Sequence, residues 1–98
     1  MDCWALCREV YNWQYDIEIG DIREQKQVIQ TGMWFDVDAP IEGDVMLFKS
    51  SPVNRHVAIY LNGDYMLHSA NPIGVVIEKW TRPNWKSQLR QIYRHNSR

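Results

Sequence analysis

Cysteine is scarce in this sequence, with Cys3 and Cys7 the only two in 98 residues. That excludes a disulfide-stapled scaffold of the kind many small secreted domains use. Long apolar runs are missing too. None approaches the ~20 residues that a membrane-spanning helix needs, and no basic, apolar leader precedes Cys3. The expectation is therefore a chain made in the cytoplasm, with no membrane span. Four prolines and five glycines are too few for a low-complexity chain. A net charge of −1 provides no overall basic excess to draw in nucleic acid.

What is present fits one small domain spanning residues 1–98. Apolar residues make up 45% and charged residues 23%, an ordinary globular balance. A chain of this length buries roughly two-thirds of its unfolded surface, enough for a single core. Five Trp and five Tyr are a heavy aromatic load for that core. Charge is unevenly spread: residues 1–44 carry ten acidic and three basic side chains, and residues 79–98 carry six basic ones. A basic end can mark an anionic partner, and it can equally be a solvated face and tail.

The chain then separates into two textures. Cys3, Leu6, Cys7, Val10 and Tyr11 form one apolar stripe at helical spacing, with Asp2 placed as N-cap. Asp21 and Glu24 have capping-box spacing at the head of a second helix over Ile22–Gln30, which Gly32 ends. After the turn Pro40–Asp44 the pattern changes to strands: Val45–Phe48, His56–Leu61, Tyr65–His68, Val75–Trp80 and Gln91–Arg94, with a short helix over 83–90. Helices followed by a mainly antiparallel meander predict an α+β fold with the N-terminal helices packed on one side of a sheet.

Cys3, His56 and His68 are the residues that could carry chemistry. A free thiol is mostly protonated near neutral pH, and two things activate it. One is a helix N-terminus, where Cys3 is placed. The other is an imidazole that accepts its proton and later returns it, for which His56 is the candidate. His68 could orient that imidazole. The hairpin between the two histidines tests the idea. A two-residue Asn62-Gly63 turn puts them on opposite faces, whereas an odd-length loop or a bulge puts them on one face. Other readings stay open. Cys3 could be a small buried apolar residue, the histidines could be structural, and Cys3, Cys7, His56 and His68 could form a zinc site. Cys7 is most simply core.

Three segments carry a family likeness. "DCWALCREVY", "PIEGDVMLF" and "HVAIYLNGDYMLHSA" resemble, in order and spacing, the motifs of NlpC-type cell-wall cysteine peptidases, a papain-like family. The end "GVVIEKWTRPNWKSQLRQIYRH" is similar to the version in tail proteins of long-tailed bacteriophages. The resemblance implies a papain-like fold with Cys3 as nucleophile, His56 as general base and acid, and His68 as orienting residue. It also implies the Cys3 amide in the oxyanion hole, and no cofactor or metal. The implied substrate is an amide in peptidoglycan stem peptides, typically D-γ-glutamyl-diaminopimelate. The implied setting is a virion tail that acts at the cell wall and periplasm, with tail hub or tip proteins as partners.

Two departures from the family pattern bear on function. Ala5 and Ala58 replace the family's usual glycines, and the helix and loop that usually precede the Asp-Cys pair are absent from the sequence. The alternatives are a tail-tip binding module without effective turnover, and a Cys-His acyltransferase whose thioester is intercepted by an amine.

Overall fold

The computed structural model describes residues 2–20, 33–51, 54–70 and 72–98. The second helix expected over Ile22–Gln30 lies outside the described residues.

Helix α1 spans Cys3–Tyr15. It starts where the sequence pattern put it, because Asp2 Oδ1 accepts the Ala5 N–H at 2.7 Å. It ends at Asp16, which takes the left-handed conformation at φ 56° and returns its N–H to the Tyr11 carbonyl. The buried face is Trp4, Leu6, Cys7 and Tyr11, of which Leu6 contributes about 1.5–3 kcal/mol as apolar burial. This face is rotated from the expected stripe: Trp4 joins it, its indole N–H donating to the Gly20 carbonyl at 2.8 Å. Cys3 and Val10 are left half-buried at its margins.

Six strands form one sheet: β1 (Trp34–Asp36), β2 (Val45–Lys49), β3 (Arg55–Asn62), β4 (Tyr65–Ala70), β5 (Gly74–Lys79) and β6 (Leu89–His95). Their order is β1-β6-β2-β3-β4-β5, and every neighbouring pair is antiparallel. The meander β2–β5 matches the sequence pattern. Strand β6 returns beside β2 and holds β1, a three-residue strand that the pattern did not reveal. A short helix α2, Pro83–Lys86, links β5 to β6 and is shorter than the 83–90 expected.

Both faces of the sheet are apolar. Val45, Val57 and Ile59 pack with Trp4, Cys7, Tyr11, Ile19 and Trp34 under α1. On the other face Met46, Phe48, Ala58 and Met66 gather beneath Trp80, Trp85 and Leu89. Two-sided burial explains why β2 reads as the unbroken apolar run VMLF rather than an alternation. At the far end of β2, fully buried Asp44 accepts from Arg94 Nε and Nη2 at 3.0 and 2.9 Å and from Arg98 Nη1 at 3.0 Å. Two charges of the basic end are thus spent inside the fold.

The β3–β4 hairpin departs from the simplest turn. Asn62 pairs with Tyr65 across Gly63-Asp64, yet Tyr60 pairs with Met66, which makes Leu61 the extra residue of a bulge. Gly63, at φ 53°, takes the left-handed turn position.

Candidate active site

The bulge decides where the histidines point. In the register of Asn62 with Tyr65, His56 and His68 would face opposite sides of the sheet. The extra residue shifts the parity, so they become diagonal neighbours on one face, the face of Ala58 and Met66. There His56 Nε2 and His68 Nδ1 stand 2.9 Å apart, with their rings nearly perpendicular at 87°.

Cys3 reaches the same place from another element. A cavity of about 640 Å³ is lined by Asp2, Cys3, His56, His68, Ser69, Ala70 and Trp85, a volume typical of sites that hold a small molecule or a short peptide. The start of α1, the start of β3 and the end of β4 therefore converge there. Asp2 takes the Ala5 N–H on its side chain and the Leu6 N–H on its carbonyl. By position, the amides of Cys3 and Trp4 lie outside the helix's own hydrogen-bond ladder, where the dipole favours a negative charge.

The second cysteine is elsewhere. Cys7 is completely buried in the cluster under α1, and burial pushes its thiol up, away from ionisation. That placement removes it from any ligand set shared with His56 and His68. Among the described residues, no group of three His, Cys, Asp or Glu side chains is arranged to hold a metal ion.

Two residues that the sequence pattern did not single out complete the surroundings. Trp85 stacks on His56, with centroids 5.3 Å apart and planes inclined by 28°, and meets His68 edge-on at 5.2 Å. Its indole N–H donates to Glu78 Oε1. Glu78 Oε2 lies 3.6 Å from His68 Nε2. The sequence shows Glu78 only as one acid beside Lys79 in a short strand, with nothing in the strand itself to say which face it takes. Burial, and to a lesser degree His68, push His56 down to about 4, against a smaller opposing pull from Glu78. Burial also lowers His68. Both rings are thus neutral near pH 7.

A helix on an antiparallel sheet, with a thiol at the helix head and two coupled imidazoles beside it, defines a class of candidate thiol-dependent site. The match is to a known family. The model of the NlpC/P60 family matches residues 1–94, and the chain belongs to that family. It is 26% identical over its whole length to murein DD-endopeptidase MepS/murein LD-carboxypeptidase of Escherichia coli K12, covering 51% of that protein. It is 24% identical over 91 residues to peptidoglycan DL-endopeptidase CwlO of Bacillus licheniformis, covering 20% of it. The chain thus spans about half the length, or less, of the curated relatives it matches. In fold it resembles a lipoprotein-like NLP/P60 protein of Staphylococcus aureus, with a TM-score of 0.73, 24% identity and coverage of 96% of this chain and 32% of that one.

Proposed function

We propose that this domain hydrolyses an amide bond in peptidoglycan stem peptides through a thioester on Cys3. The observation that carries the reading is the shared cavity of Cys3, His56 and His68 in a chain whose relatives are named murein and peptidoglycan endopeptidases. In this reading His56 Nδ1 takes the Cys3 proton as sulfur attacks the carbonyl carbon. The oxyanion forms against the Cys3 amide at the head of α1. His56 then passes its proton to the leaving amine, leaving the thioester. Water attacks the thioester with His56 again as base, freeing the carboxylate and the thiol. The depressed basicity of His56 keeps the resting pair neutral and makes the imidazolium a ready proton donor to the amine.

The names of the relatives include DD-, LD- and DL-specific enzymes. The D-γ-glutamyl-diaminopimelate bond belongs to the DL type, and we take it as the substrate. A setting on a virion tail rests on the likeness of residues 74–95 to phage tail proteins and on nothing else.

The test is digestion of purified sacculi by the chain and by Cys3→Ala, with new free amines assigned by mass spectrometry. The expected result is product from the wild type alone, with a free diaminopimelate amine at the cut. Equal product from both would overturn the peptidase reading, and product from neither would favour a binding module.

A further inference from the structure

Two facing ring nitrogens at 2.9 Å can share only one proton when both rings are neutral, and a group outside the pair must decide which ring donates. The deciding group comes from β5. His68 Nε2 is buried and among the described residues makes no hydrogen bond, but it looks at the Glu78 carboxylate, 3.6 Å away. A bare nitrogen lone pair so close to a carboxylate is repelled, whereas an N–H is attracted.

We infer that Glu78, acting through His68, sets the tautomer of His56 and leaves His56 Nδ1 as the proton acceptor. His68 carries its proton on Nε2, toward Glu78. Its Nδ1 is then bare and accepts the His56 Nε2–H, which empties His56 Nδ1. Trp85 serves the carboxylate: its indole N–H holds Glu78 Oε1, and its ring covers both histidines. Glu78 is a positioning residue, since it touches neither Cys3 nor the cavity. The titratable groups facing the pair are Asp2 and Cys3 across the cavity and Glu78 behind it. The inference rests on the Cys3 thioester reading only for its effect on turnover.

The test uses ring-nitrogen NMR of the intact chain together with kinetics. In the wild type near pH 7, His56 Nδ1 and His68 Nδ1 are expected to be the unprotonated nitrogens. In Glu78→Gln the amide oxygen keeps the Trp85 contact and the amide NH₂ faces His68 Nε2, so both tautomers invert. The kcat then falls about 10- to 100-fold with KM within about twofold. Trp85→Phe keeps the charge and the wild-type tautomers. A wild-type spectrum with a proton on neutral His56 Nδ1 overturns the inference, even if Glu78→Gln fails to fold. So does Glu78→Gln with unchanged tautomers and kcat, or inversion in Trp85→Phe alone. The spectra need no substrate: the expected tautomers with no wild-type product would overturn the peptidase reading and leave Glu78 its role.

Discussion

His56 and His68 meet at 2.9 Å because a residue that touches neither of them stands outside the ladder. Leu61, the extra residue of the β3–β4 bulge, keeps the two rings on one face of the sheet by being left unpaired.

Deleting Leu61 should therefore leave the pair together. With the extra residue gone, Asn62 still opposes Tyr65 and Tyr60 still opposes Met66, and His56 and His68 keep one face. The expected outcome is a retained His56–His68 proximity in NMR, with turnover above that of Cys3→Ala. Loss of the proximity in a folded deletion variant would show that the bulge does more than set the register.

Alkylation should distinguish the two thiols. Cys3 is half-buried at the rim of a cavity, while Cys7 is completely buried in the core with its thiol pushed up. Iodoacetamide near neutral pH is expected to label Cys3 at least about tenfold faster, with Cys7 reacting only in denaturant. Equal rates in the native state would contradict this placement.

Acid should weaken the fold well before its carboxylates protonate. His56, His68 and His95 all have their protonation disfavoured, chiefly by burial. The unfolded chain takes up their protons near the ordinary value of 6.5, while the folded chain resists, so the unfolded state binds more protons as the pH falls. Stability is then flat above about pH 6.5 and declines below it, by up to about 1.4 kcal/mol per pH unit for each histidine. For His56 the decline continues to about pH 4. Thermal melts between pH 4 and 8 give the profile. A midpoint that stays constant down to pH 4.5 would rule out the buried neutral state.

Asp44→Ala should cost about 3–5 kcal/mol of stability, because it leaves Arg94 and Arg98 facing an empty site where a fully buried carboxylate had bound both. Urea unfolding measures the loss, and a cost below about 1 kcal/mol would mean that water replaces the carboxylate freely.

Local chemistry made much of the fold legible in the sequence. Asp2 as cap and the 3.6-residue stripe identified α1, and apolar runs between turn residues identified β2 to β5, because capping and strand patterning act over a few neighbours. Strand β1 escaped notice: three residues carry no period, and Trp34–Asp36 becomes a strand only by pairing with β6. Glu78 escaped for a related reason. Residues 75–80 carry no clear alternation, and it is pairing with β4 that exposes Val75 and Ile77 at 52% and 63% and turns Glu78 toward the histidines. The phase of an edge strand is set by its partner's register rather than by its own side chains.

The sequence alone thus determined the helix head that carries Cys3, the strands that carry His56 and His68, and the family that combines them. Cys7 lies in the core, as its place on the apolar stripe indicated. Only the tertiary structure decided that Leu61 bulges. It also decided that Arg94 and Arg98 converge on Asp44 and that Glu78 and Trp85 close around the imidazoles. Each of these depends on which residues far apart in the chain are brought together, and burial and register settle that only once the sheet has formed.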